Sequence, residues 1–253
     1  MKEVKYISHL TRNGMLYTLL YIMVAVAKQY HIPWNQFLIG LFGITAAYAP
    51  VYFLNDYTDK AIDKKDKRAN LYNTIGHSWL YVVMALVVGM LGITLSYLAS
   101  PSSISLLAAL YLINALYSLR PFRFKDHLYP RIFSILFIYL VKAYYIFALL
   151  RLPRDQVPIP FIFLFASVSV LGLLLYKRRI ISVPVLEHFC GGLFLVAWII
   201  TIATYPMLLL YLLPLPFFSL YIYFYYQKVQ IPLSSIQLLY FLYVVTLFWI
   251  YSA

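Results

Sequence analysis

Acidic residues are almost missing from this chain: Asp and Glu total eight in 253 residues. Only 11% of residues are charged, there is one cysteine, and no polar stretch is long enough to fold as a water-soluble domain. Each scarcity excludes something. Cys190 has no partner for an internal disulfide and reads as a small buried apolar residue. A composition 64% hydrophobic, with mean hydropathy +0.81, excludes an ordinary soluble globule and places the chain in a bilayer. The net charge of +12 does not point to nucleic acid, because the basic residues sit in short loops between apolar runs rather than on one soluble face. Aromatics make up 19%, with 26 Tyr, and many are expected at the membrane–water interfaces.

Apolar runs fall at 14–30, 34–54, 79–99, 103–118, 132–150, 158–176, 182–203, 206–226 and 233–251. A helix needs about 20 residues to cross the hydrocarbon. The expected fold is therefore all-α: a polytopic, multi-pass integral membrane protein of nine transmembrane helices, with residues 1–253 forming one domain. Charge sets the orientation. If the N-terminus is cytoplasmic, sixteen of the twenty Lys and Arg residues lie on the cytoplasmic side, three (Lys28, Arg151, Arg154) on the other, and Lys142 within a span. That asymmetry obeys the positive-inside rule and supports the count of nine. Residues 2–27 have the look of a signal peptide, ending in Ala25-Val26-Ala27. The alternation of charge works with this segment counted as a helix.

The few acids are not scattered. Four of the eight fall between positions 56 and 66, and Asn55-Asp56-Tyr57-Thr58-Asp59-Lys60-Ala61-Ile62-Asp63 closes the second run. In a helix Asn55, Asp59 and Asp63 share one face, where like charges repel unless a cation sits among them. Oxygen ligands of this kind suit Mg²⁺, so Asn55, Asp56, Asp59 and Asp63 are the candidate metal ligands. The plainer alternative is a solvated loop with i,i+4 pairs Asp56–Lys60 and Asp63–Lys67. It accounts for Asp56 and Asp66 better than for the Asn55/Asp59/Asp63 face. A basic segment, Tyr117-Ser118-Leu119-Arg120-Pro121-Phe122-Arg123-Phe124-Lys125, ends the fourth run on the same side, with Pro121 as the helix stop. A cytoplasmic flank would explain its cations alone. Carboxylates, a divalent metal and several cations together are the parts needed to hold a diphosphate and stabilise it as it leaves.

These residues resemble a family. Asn55-Asp56-x-x-Asp59-x-x-x-Asp63 is similar to the first aspartate-rich motif of the UbiA superfamily of intramembrane prenyltransferases. Tyr117-Ser118-x-x-Pro121-x-Arg123-Phe124-Lys125 is similar to that family's segment after the fourth helix. The resemblance implies a nine-helix bundle around a central cavity, with the active site on the cytoplasmic side. It implies transfer of a prenyl group from an isoprenoid diphosphate to an acceptor that the sequence does not identify. Asn55, Asp56, Asp59 and Asp63 would bind Mg²⁺ and diphosphate, with Asp59 and Asp63 catalytic. Arg68, Tyr117, Arg123 and Lys125 would contact the substrate, and the prenyl tail would lie in an apolar tunnel open to lipid.

The family's second motif has no counterpart. After the sixth run the chain reads Tyr176-Lys177-Arg178-Arg179-Ile180-Ile181-Ser182-Val183-Pro184-Val185, with three cations where acids are expected. Lys177 and Arg178 either contact the diphosphate in place of a metal or flank the membrane. Glu187 and His188 open the seventh helix, where His188 is a candidate substrate contact or the two side chains bond locally. Lys142 sits near mid-span, where a charge costs a few kcal/mol unless paired or hydrated. It is a candidate catalytic group facing the cavity with Tyr144 or Tyr145, or a structural partner of Asn114. Two rivals to prenyl transfer stay open: cyclisation of a prenyl diphosphate without an acceptor, and a non-catalytic lipid-diphosphate binder.

Overall fold

The computed structural model describes residues 3–65, 78–177, 184–225 and 233–252, and among them there are helices and turns but no strand. In chain order the helices are α1 (Glu3–Lys28), α2 (Trp34–Lys65), α3 (Ser78–Ala99), α4 (Ser103–Ser118), α5 (Leu128–Leu149), α6 (Ile159–Lys177), α7 (Pro184–Thr204), α8 (Leu209–Leu212), α9 (Pro214–Tyr225) and α10 (Leu233–Ser252). α3 to α7 and α10 follow the apolar runs to within a few residues, whereas α1 begins well before its run, α2 ends well beyond its run, and the run 206–226 is divided between α8 and α9. α2 runs on through the acidic cluster, so Asn55, Asp59 and Asp63 do lie on helix.

Among the described residues four helices are long and apolar enough to cross a membrane: α2, α3 over Val82–Ala99, α5 and α7. Four further helical stretches are apolar over 10–17 residues. α4 is one of them; its 16 residues reach roughly 24 Å, short of a ~30 Å hydrocarbon core.

The chain divides into two compact units. The first comprises Met1–Thr18, Ile32–Ser134 and Val141–Pro153. Here α2 packs antiparallel on α3 at very short range. A methyl group placed on Gly92 would collide with the backbone of Ala47, and one on Gly89 would meet the Pro50 ring. Small residues at such crossings let helix backbones touch, which is how helices associate where the surrounding solvent is itself apolar. Pro50 interrupts α2, since it has no N–H to give the Ala46 carbonyl. One residue along, the Tyr111 hydroxyl of α4 donates to the Ala47 carbonyl at 2.6 Å. At the N-terminal end of α2, Gln36 Nε2 donates to the carbonyls of Ala99 (3.1 Å) and Leu149 (2.9 Å), and Arg151 Nε to Ala99 (2.6 Å). The last carbonyls of α3 and α5 are thereby satisfied. Arg151 itself has φ +54°, the left-handed position that closes α5, with the Leu152 amide bonded back to Phe147.

The second unit comprises Leu19–His31, Ile135–Leu140 and Arg154–Ala253. α6 packs along α7. Pro214 and Pro216 withhold amides from the carbonyls of Leu210 and Leu212. Tyr243 OH donates to Leu210 O at 2.7 Å and Trp198 Nε1 to Leu212 O at 3.0 Å, so aromatic donors repair both breaks. Repair of this kind is what permits proline inside apolar helices. Cys190 is buried, as its sequence setting suggests.

Candidate functional site

The acidic face of α2 meets the basic segment after α4. α4 ends at Ser118, and the chain turns through Arg123, whose backbone is left-handed at φ +33° and ψ +57°, into a single 3-10 turn, Phe124–Asp126. A non-glycine residue held there costs of order 1 kcal/mol and persists only where surrounding contacts fix it. Those contacts are present. Arg123 Nη1 donates to Thr58 O at 3.1 Å and Nη2 to Asp59 Oδ1 at 2.9 Å. Its Nε lies 2.8 Å from Asp126 Oδ2, off the N–H axis, an ion pair rather than a hydrogen bond.

Lys125 joins the same cluster. Its Nζ stands 2.8 Å from Asp59 Oδ1, 3.0 Å from Thr58 Oγ1 and 3.1 Å from Asn55 Oδ1. The Ser118 hydroxyl donates to Asn55 Oδ1 at 2.9 Å. Lys125 is 9% exposed, and its carbonyl accepts from Arg131 Nε at 2.5 Å. Burial pulls the amine below its ordinary value, while the bond to Asp59 opposes that pull.

An apolar cavity of about 670 Å³ lies beside this cluster, between α2, α3 and α4. Its wall includes Pro50, Leu54 and Tyr57 of α2, Ala85 and Met90 of α3, and Tyr111 and Asn114 of α4. Leu54 and Tyr57 alternate along α2 with Asn55 and Thr58, so the cavity and the charged cluster share the C-terminal end of one helix. The volume is typical of small-ligand pockets.

The candidate residues of the first motif therefore separate. Asn55 and Asp59 meet Arg123 and Lys125; Asp56 is half-buried on the same helix; Asp63, one turn beyond Asp59, is 8% exposed. Among the described residues no three His, Cys, Asp or Glu side chains lie close enough to hold a metal by themselves. Asn55 and Asp59 nevertheless aim hard oxygen atoms at one cationic centre, now the Lys125 ammonium, and that donor chemistry fits Mg²⁺. Tyr117 is half-buried, while its neighbour Ser118 reaches Asn55.

Lys142 is 6% exposed, and its Nζ lies 3.2 Å from Asn13 Oδ1 and 3.6 Å from the centre of the Tyr48 ring. Asn114 bonds to the Tyr48 hydroxyl at 3.3 Å rather than to the amine. Tyr145 bonds to Ser96, and Tyr144 is 40% exposed. His188 lies in the second unit, with Nδ1 2.6 Å from the Pro184 carbonyl. Lys177 ends α6, whereas Arg68, Arg178 and Arg179 lie outside the described residues.

Sequence reasoning passed over four groups: Thr58, Ser118, Asp126 and Arg131. Thr58 had a signal, since it falls three residues after Asn55 and so near the same face. The others are joined to the cluster by the turn after α4, which no periodicity announces. No protein-family model, curated protein or solved structure matches the chain.

Proposed function

We propose that this chain is an integral membrane enzyme that transfers a prenyl group from an isoprenoid diphosphate to an acceptor. It crosses the bilayer nine times, with the N-terminus and the Asn55/Asp59 cluster on the cytoplasmic side. The observation that carries the reading is the juxtaposition on α2: an apolar cavity of about 670 Å³ beside buried cations, the two halves of a prenyl diphosphate's chemistry. A binder of free phosphate has no use for the cavity, and a binder of an uncharged lipid has no use for Arg123 and Lys125.

The residues act as follows. Arg123 and Lys125 receive the diphosphate oxygens, and the left-handed turn and Arg131 hold both cations in place. The cavity takes the prenyl chain and keeps water from the reacting carbon. As the carbon–oxygen bond breaks, its electron pair passes to the diphosphate, whose growing charge the two cations stabilise. The acceptor then bonds to the allylic carbon and loses a proton. Mg²⁺, held by Asn55 and Asp59 with Asp56 and Asp63 nearby, would supply further stabilisation of the departing diphosphate.

Incubation of the purified protein with radiolabelled prenyl diphosphates of several chain lengths, with Mg²⁺ and with EDTA, tests this reading. Diphosphate release that requires the protein and the metal is the expected result. No release at any chain length overturns it. Product analysis separates transfer from cyclisation.

A further inference from the structure

We propose that Lys125 is a resident cation that fills the oxygen cage where a divalent ion belongs and vacates it when a diphosphate arrives. This rests on reading the cluster as a diphosphate site.

The geometry is that of an occupied cation site. An ammonium has three hydrogens to donate. Lys125 Nζ has three oxygen atoms within 3.1 Å, from Asn55, Thr58 and Asp59. Two of those atoms are held from elsewhere too, Asn55 Oδ1 by Ser118 and Asp59 Oδ1 by Arg123. A lysine serving only as a membrane flank stays in solvent, as Lys64 and Lys65 do at the end of α2. Lys125 is instead buried, with its carbonyl anchored to Arg131.

An ammonium and a dication cannot share these oxygen atoms, because like charges at such range repel strongly in a partly buried site. With no anion present, Lys125 has nowhere better to go, and the metal is kept out. A diphosphate changes the balance by offering oxygen atoms to Lys125 and Arg123, which frees Asn55 and Asp59. Metal and diphosphate therefore favour each other's binding, and by linkage each raises the other's affinity by the same factor. Lys125 is the positioning residue of this exchange.

Mn²⁺ binding to the full chain in detergent, counted by electron paramagnetic resonance of the free ion, tests the exchange without any turnover. Lys125→Met should bind Mn²⁺ about tenfold or more tightly than the unsubstituted protein, since a neutral side chain leaves the oxygens open. Lys125→Arg, which keeps the charge, and Lys64→Met, which removes an exposed charge elsewhere on α2, should both stay at the original affinity. Lys125→Gln serves the same purpose if Lys125→Met does not fold, because it also removes the charge while keeping a polar end to the side chain.

Unchanged or weaker Mn²⁺ binding on neutralising Lys125 overturns the proposal. So does an equal gain in Lys64→Met, or no bound Mn²⁺ in any variant. Diphosphate release from prenyl diphosphates is read on the same samples. If release fails while the Mn²⁺ pattern holds, prenyl transfer is wrong and the exchange stands; the converse result removes the exchange alone.

Discussion

Arg123 and Asp59, far apart in sequence, meet through a 2.9 Å ion pair where the left-handed turn after α4 faces the C-terminal turns of α2. Removing the carboxylate leaves two cations, Arg123 and Lys125, crowded with their shared oxygen gone. Asp59→Ala should abolish Mg²⁺-dependent diphosphate release. Thermal unfolding should register a loss of about 1–3 kcal/mol, the cost of buried polar groups left unmatched. Persistence of metal-dependent release in this variant would rule out Asp59 as a ligand.

Lys142 poses a different question. It lies about 10 Å along the bundle from Asn55, counting seven residues of α2 from Tyr48 at 1.5 Å each. Lys142→Met keeps the length and removes the charge from the Tyr48 ring and Asn13. The expected outcome is a fall of about tenfold or more in kcat, with KM for the prenyl diphosphate unchanged, as for a group that acts away from the diphosphate. Stability should change little, because replacing a buried charge by an apolar group of similar size is often neutral. Unaltered kcat would make Lys142 a structural residue.

The cavity beside the cluster should set chain length. Ala85 faces it from α3. Ala85→Phe fills part of that space, and competition between prenyl diphosphates should then favour shorter chains. If the preference does not move, the prenyl chain lies elsewhere.

The contact of α2 with α3 should tolerate no bulk at Gly92. Gly92→Leu forces the two backbones apart, for a loss of roughly 1–3 kcal/mol or more in thermal unfolding. Gly172→Ala is the control: among the described residues nothing lies within 4 Å of the added carbon, and stability should hold.

The helices were legible because their apolar runs are long and the loops carry the charges. The Asn55/Asp59 face was legible because a four-residue repeat survives on a helix. What stayed hidden is long-range. The sequence suggested Asn114 as the structural partner of Lys142, but the amine reaches Asn13 on α1 and the Tyr48 ring on α2. The resemblance implied that Arg123 and Lys125 contact the substrate, but nothing in the sequence announced that both are engaged by Asp59. Pairings between helices depend on rotation and register, which composition does not encode. Nor does composition announce that Tyr111, Trp198 and Tyr243 donate to carbonyls near prolines.

Gln36 and Pro50 divide α2 mechanically. Below the proline, the helix is moored through Gln36 to the terminal carbonyls of α3 and α5. Beyond it, the missing backbone bond leaves a natural pivot. The outer arm has moorings of its own, Ser118 on Asn55 and Arg123 and Lys125 on Asp59, so the two halves of the helix are fastened to different partners. The proline acts as an elbow between an anchored upper arm and a working forearm.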